Sequence, residues 1–353
     1  MSEEVKATGW DAIDRTMEAI YGEQEPKHYG TLVSYVLGGP DPLDGISAYK
    51  SETPESHWHM VTYGFSEIYE KESDNPEVSG FGFELTFRLK RKEGEEEPPA
   101  WALNLLQNMG RYVFNSGNVF RNGDYMDANG PICLESNTKL TALAFMTDPE
   151  LGTIETENGQ VQFLQMIGIT DGELEAMQTW NTLGVLSAGA AYMPGSITDL
   201  ERESFLNYPD VSKKVDEGRE REGSNTGFLF NDNLSWLPEK KGLFRKKPAM
   251  LTLGAKQTET ISKVLRGRIL KGKGLTLAGP HILVVIEPGE KSGYTIEKDK
   301  VQLILDDQTA VELSEKLIPK ESVIELSSCE QMVVKIVKTH IKDNEGNVVQ
   351  VIG

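Results

Sequence analysis

Residues 80–92, GFGFELTFRLKRK, carry an apolar side chain at every second position: Phe81, Phe83, Leu85, Phe87 and Leu89. A strand turns successive side chains to opposite faces. The run therefore predicts a β-strand that buries those five and turns Glu84, Thr86, Arg88 and Lys90 to water or to a partner. Gly80 and Gly82 share the polar face, where a missing side chain suits the close approach of another segment. After an acidic turn bounded by prolines, Pro98 and Pro99 suit the first turn of a helix whose Ala102, Leu105, Leu106, Met109 and Val113 recur at spacings of three and four. Turn residues then follow: Asn115, Ser116, Gly117, Asn118, Asn122 and Gly123. They leave Phe120 and Asp124 on an irregular segment beside the sheet, a setting that favours recognition. Tyr112 sits one position off the apolar stripe of the helix.

At 353 residues the chain is long enough for two cores. A formal net charge of −19 argues against nucleic acid, whose affinity for proteins comes largely from Lys and Arg, and favours a basic or neutral protein partner. Cys133 and Cys329 are the only cysteines. They form neither a disulfide framework nor a zinc-ligand spacing, which fits a reducing cytoplasm. No signal-peptide core is present, and no stretch is apolar for the roughly 20 residues that a membrane span needs.

Along the chain, Trp10, Ile13, Met17 and Ile20 mark an amphipathic helix. Residues 32–37 read as a short apolar strand running into the loop GGPDPLD, which lacks the Gly-Lys-Ser/Thr ending of a phosphate loop. His57 and His59 share one strand face as His-x-His. With five histidines in all and no third ligand in view, they read as structural histidines, and neither metal nor cofactor is expected. Asn158-Gly159 signals a two-residue hairpin leading into a central strand at 161–169, and Thr170 with Glu173 forms a capping box opening a helix over Leu174 and Met177. Residues 197–205 read as an edge strand and turn, and 211–223 as a charged, solvated helix or linker. The polar and basic stretch 231–247 is the expected linker between a domain at 1–230 and one at 248–353. Beyond it, short β runs at 249–253, 275–277, 281–286, 301–305, 332–341 and 348–352 dominate, with a hairpin loop at 343–347. The basic run 265–274 reads as a solvated surface.

Enzyme signatures are missing: no Gly-x-Ser-x-Gly elbow, dinucleotide fingerprint, His-Glu-x-x-His or Cys-His pair, so the chain is expected not to be an enzyme. The runs GFGFELTFRLKR, RYVFNSGNVFRNGD, GGPDPLD, HWHMVTYGFSEIY and FLQMIGIT occur in one order and resemble the Suppressor of fused (Sufu) family. The resemblance extends from Tyr21 to near the C-terminus. Without the long insertion of the animal proteins, the chain looks like the bacterial members that carry both domains. The resemblance implies an α/β (α+β) fold of two domains, each a mixed sheet flanked by helices, with a cleft between them. It implies a monomeric, non-enzymatic negative regulator that holds an extended segment of a transcription-factor-like partner as an added strand. Matched residue by residue, Tyr112, Phe120 and Asp124 are its partner-binding positions. Phe228 and Phe230 join them if a one-residue gap is allowed, and Ala249 and Leu251 line a docking strand on the far side. Lys247 stands where the family has an acidic residue, which implies a partner motif of different charge. The alternative is an immunity protein that neutralises a polymorphic toxin by direct binding, for which the acidity suits a basic toxin.

Overall fold

The chain divides into two compact units: Met1–Leu174 with Leu186–Val211, and Glu175–Val185 with Ser212–Gly353. The computed structural model describes residues 6–31, 33, 35–134, 136–241, 246–342 and 346–353.

In the first unit, α1 (Thr8–Tyr21) precedes β1 (Lys27–Gly30), β2 (Gly45–Ser51), β3 (His57–Tyr63) and β4 (Val78–Lys90). Then come α2 (Ala100–Ser116), β5 (Tyr125–Asp127), β6 (Leu140–Thr147), β7 (Thr153–Thr156) and β8 (Gly159–Thr170). The strands form one sheet in the order β1-β2-β3-β4-β8-β6-β5, with β7 also on β8, and only the β4–β8 pair is parallel. The strand expected from the alternating pattern is β4, at the centre. Its Phe83, Leu85, Phe87 and Leu89 share one core with Ala102, Leu105, Leu106, Met109 and Val113 of α2. Gly117 ends that helix in the left-handed region, at φ 71°.

The opposite face of β4 corrects the reading. Glu84, Thr86 and Arg88 are buried, not turned to water; only Lys90 is exposed. Ile13 and Met17 of α1 pack with Tyr49, Val61, Tyr63 and Phe163, so the sheet is covered on this side as well. Gly80, at φ 55°, meets the expected close approach: a Cβ there would lie 2.7 Å from the Phe65 carbonyl oxygen.

Elsewhere the local signals hold, with small shifts. Thr170 N–H donates to Glu173 Oε2 at 3.0 Å and Glu173 N–H to Thr170 Oγ1 at 3.3 Å, the reciprocal capping box that opens α3 (Asp171–Thr179). The β7–β8 hairpin closes on Thr156 and Gly159, so its two-residue loop is Glu157-Asn158, one residue earlier than expected. Two helices follow, α4 (Thr182–Gly189) and α5 (Pro209–Glu222), the second being the expected charged helix. Of the apolar run at 32–37, Tyr35–Leu37 is a single 3-10 turn, while residues 32 and 34 lie outside the described residues. In the segment 197–205, Thr198 makes one isolated bridge to Leu89, not a strand.

The second unit begins its sheets with β9 (Phe228–Phe230) and β10 (Ser235–Leu237), followed by the short pair β11 (Lys240–Lys241) and β12 (Lys246–Lys247). Next come β13 (Ala249–Gly254), α6 (Thr258–Ile269), β14 (Leu275–Ala278), β15 (Leu283–Pro288), β16 (Gly293–Glu297) and β17 (Lys300–Leu305). The unit ends with α7 (Asp307–Lys316), β18 (Ser322–Glu325), β19 (Met332–Val337), β20 (Thr339–Lys342) and β21 (Val348–Ile352). A five-stranded sheet runs β16-β17-β15-β14-β9, a four-stranded one β10-β13-β19-β18, and β20 with β21 forms a separate ribbon. This division falls earlier than the expected linker at 231–247. β9 pairs with β14, and β10 with β13, so neither 228–230 nor 235–237 lies outside the second fold. Residues 242–245 of that stretch, and 343–345 of the expected hairpin loop, lie outside the described residues. The β-rich reading of this half also missed two helices. α6 buries Ile261, Val264, Leu265 and Ile269, and Asp306 caps α7 by accepting from Thr309 N–H at 2.8 Å.

Candidate functional site

In the first unit, α2 presents Tyr112 near its C-terminal end, 37% exposed, with the hydroxyl accepting from Asn118 Nδ2 at 3.1 Å. The ring stacks on Phe120 at 5.6 Å between centroids. Phe120 in turn lies face to face on Phe145 of β6 at 4.1 Å and is only 8% exposed. Phe120, which the turn residues around it place in a setting that favours recognition, is instead core. Tyr112, one position off the apolar stripe, is the accessible ring, and Phe120, on the loop, is the buried base beneath it.

Asp124 closes the same loop. Its Oδ2 accepts from Arg121 N–H at 2.8 Å, and its carbonyl accepts from Phe145 N–H at 2.9 Å. Gly123 N–H donates back to the Phe145 carbonyl at 2.9 Å, so the loop is stitched to β6 from both sides. One carboxylate oxygen therefore serves the turn. The other, Oδ1, has no hydrogen-bond partner among the described residues, and the side chain is half-buried. The next three residues form β5, which ends the sheet; three residues are too few for a periodic signal, and this strand was not legible beforehand.

In the second unit, Phe228 and Phe230 project from one face of β9, 57% and 50% exposed, while Leu229 between them is buried. Gly227 accepts through its carbonyl from Thr276 N–H, and Asn231 N–H donates to the Ala278 carbonyl, each at 2.8 Å. Residues 227, 229 and 231 therefore face β14. Phe228 and Phe230 turn their N–H and C=O groups outward, where no strand pairs with them among the described residues.

Ala249 and Leu251 are different. Both are buried in the second unit's core, at 0% and 1% exposure, and β13 is hydrogen-bonded on one side to β10 and on the other to β19. That strand has no open edge to offer, and the two side chains do not line an accessible surface. Met250 and Thr252 occupy its other, partly exposed face. The side chain of Lys247 lies outside the described residues.

His57 and His59 belong to a buried polar layer. His57 Nδ1 bonds to the Glu55 carbonyl at 2.7 Å, and His59 Nδ1 to Tyr21 Oη at 2.8 Å. Burial pushes His59 down to about 4, so its ring is neutral at pH 7. Asp148 accepts from Thr86 Oγ1 at 2.6 Å and from Arg88 at 2.9 and 3.1 Å. Burial opposes its charge, but the adjacent His59 ring and Arg88 guanidinium hold its carboxyl well below the usual range. Among the described residues no group of three or more His, Cys, Asp and Glu side chains converges as a metal site would. A cavity of about 700 Å³ beside Trp101 in the first unit is rimmed by charges that pair with one another, including Lys90 with Asp199 and Lys139 with Glu203, both at 2.7 Å.

Two α/β units, each built on mixed sheets, define the fold class, and the comparisons agree with it. Residues 39–203 match the family Suppressor of fused protein (SUFU). The Suppressor of fused homologs of Homo sapiens and Mus musculus are each 34% identical over 334 residues, covering 84% of this chain and 66% of theirs. The crystal structure of Drosophila Suppressor of Fused superposes with a TM-score of 0.79 at 23% identity, over 95% of this chain and 99% of that one. A chain from the Sufu-Fu complex structure gives a TM-score of 0.56 at 33% identity, over 60% of this chain and 98% of its own. The chain belongs to the Suppressor of fused family. It spans 66% of the length of those curated relatives. Among the described residues, no helix is long and apolar enough to cross a membrane.

Proposed function

We propose that this chain is a protein-binding regulator that captures an extended segment of a partner protein by strand addition. Tyr112 and Asp124 of the first unit and Phe228 and Phe230 of the second are its contact residues, with Phe120 the buried ring that supports Tyr112 from beneath, and one segment is engaged by both units. The observation that carries the reading is β9: a strand end with outward N–H and C=O groups, flanked by two half-exposed phenylalanines. An added strand would satisfy those groups, while its alternate side chains would pack against the rings. That a related chain was solved in a Sufu-Fu complex supports a protein as the class of ligand. Two buried free thiols, Cys133 and Cys329, fit a reducing compartment such as the cytoplasm. The reading ascribes binding to the chain and no catalysis. Ala249 and Leu251, being buried, are left out of the contact set.

The test is affinity capture from the source organism's lysate with mass spectrometric identification, comparing wild type with a Phe228→Ser/Phe230→Ser double variant and with Asp124→Arg. Fully burying a phenylalanine contributes about 1.5–3 kcal/mol, so the double variant should lose its partner about a hundredfold. Both side chains are half-exposed in the free protein, so melting should move little. A partner that both variants retain at the wild-type level removes the reading. The partner's identity separates a regulatory target from a basic toxin, which an acidic immunity protein would capture.

A further inference from the structure

The ribbon of β20 and β21 carries a feature that partner capture does not use. Val348, Val349 and Val351 are 50%, 63% and 49% exposed, and the whole of β21, VVQVI, is uncharged. Among the described residues only one side of β21 is paired, by β20, through Thr339 with Ile352, His340 with Val351, Ile341 with Gln350 and, past a bulge that leaves Val349 without an opposite residue, Lys342 with Val348. On its other side, over the regular stretch from Gln350 to Ile352, alternate residues turn their N–H and C=O outward. Of the devices that ordinarily guard such an edge, β21 is short and its pairing with β20 is bulged, but it carries no lysine, proline or inward charge.

The sequence of β21 also reads nearly the same in both directions. Laid antiparallel against a second copy about Gln350, it sets Gln350 opposite itself, Val349 opposite Val351 and Val348 opposite Ile352. Every pair then joins two β-branched side chains or two amides, and none opposes like charges. A contact made of one patch meeting itself is the geometry of a two-fold dimer. We propose that this chain self-associates through β21, two ribbons joining into a four-stranded antiparallel sheet across a dyad at Gln350. Five residues a side fall far short of the roughly 800 Å² per partner of a standard interface, so the dimer is weak and concentration-dependent. Each chain carries a formal charge of −19, so salt strengthens the dimer by screening repulsion between the copies.

Gln350→Cys tests the register in the full-length protein. Opposed residues in an antiparallel pair have Cα atoms about 4.5–5.5 Å apart, within disulfide reach. A Val348→Cys pair would be offset by four residues along each strand, about 13 Å at 3.3 Å per residue, and out of reach. Both native cysteines are buried, so background cross-linking is low. Under mild oxidation Gln350→Cys should form a covalent dimer at least tenfold faster than Val348→Cys. Sedimentation velocity on the wild type should show dimer growing with concentration and salt, and Val349→Lys/Val351→Lys should abolish it. A wild type monomeric at all concentrations overturns the proposal, as do equal cross-linking rates for the two cysteine variants. Association that needs an added peptide also overturns it, since the edge would then belong to a heterologous strand.

Discussion

Glu84 shows how far a single side chain can depart from what its neighbours in sequence announce. Its pattern position promised solvent; instead it is fully buried and accepts from Thr62 Oγ1 at 2.5 Å, Gly64 N–H and Ser66 N–H at 2.9 Å, and Ser66 Oγ at 2.7 Å. Burial pushes its carboxyl up to about 7, against the pull of those four donors. Between the ordinary glutamate value and that raised one, the folded state holds a proton that the unfolded state has released. Stability therefore falls as pH rises through roughly 4.5 to 7 and levels off above. Glu84→Gln keeps an acceptor for the three donors from Gly64 and Ser66, turns an amide N–H to the Thr62 hydroxyl, which can accept it, and carries no charge. Its unfolding free energy should lack this slope and exceed that of the wild type at pH 8 by on the order of 3 kcal/mol, one pKa unit being about 1.4 kcal/mol. Chemical denaturation at pH 5 and pH 8 measures it; parallel pH profiles for the two proteins would show that Glu84 is ionised throughout.

At the scale of elements, β9 separates backbone from side chain as the source of binding. Leu229 directs its N–H to β14, whereas Phe230 directs its own outward, so proline has opposite consequences at adjacent positions. Phe230→Pro should leave thermal unfolding close to that of Phe230→Ala yet reduce partner capture about tenfold further, because it also deletes a donor to the added strand. Leu229→Pro should destabilise the second unit outright by about 3 kcal/mol, as proline does where a structural hydrogen bond is lost. Equal capture by Phe230→Pro and Phe230→Ala would mean that the rings alone hold the partner. Elements also mark the limit of what sequence reading reaches. The capping box at Thr170 and Glu173, α2 and the alternation of β4 depend on residues within one or two turns, and each was legible. The burial of β4's polar face was not, because Arg88 and Thr86 owe it to Asp148 and Glu84 to Thr62 and Ser66, partners about 20 to 60 residues away. β13 failed for the same reason: that both of its edges are occupied depends on β19, some 80 residues on, which no local pattern announces. At the site, the turn around Asp124 could be read from Asn-Gly-Asp, but the burial of Phe120 beneath Tyr112 depends on Phe145 from another strand.

Across the whole molecule, a charge of −19 acts on every encounter at once, and it acts with opposite sign on the two associations proposed. A basic partner is steered toward the chain by long-range attraction, which gives fast association at low salt and loses strength as the Debye length shrinks from about 30 Å at 0.01 M to about 10 Å at 0.1 M. A second copy of the chain is repelled by the same field, so its approach eases as salt rises. The β21 contact itself is uncharged and gains nothing from low ionic strength. Measured over 0.01 to 0.5 M salt, the partner's association rate should fall about tenfold or more while the dimer fraction at fixed protein concentration rises. Electrostatic steering alters encounter more than the packed complex, so the partner's dissociation rate should change far less than its association rate. Stopped-flow kinetics with the captured partner and sedimentation velocity on the chain alone supply the two curves. Association rates that do not change with salt would place the contacts with the partner outside the reach of the acidic surface, and would restrict recognition to the rings and backbone edge of β9 and the loop at Asp124.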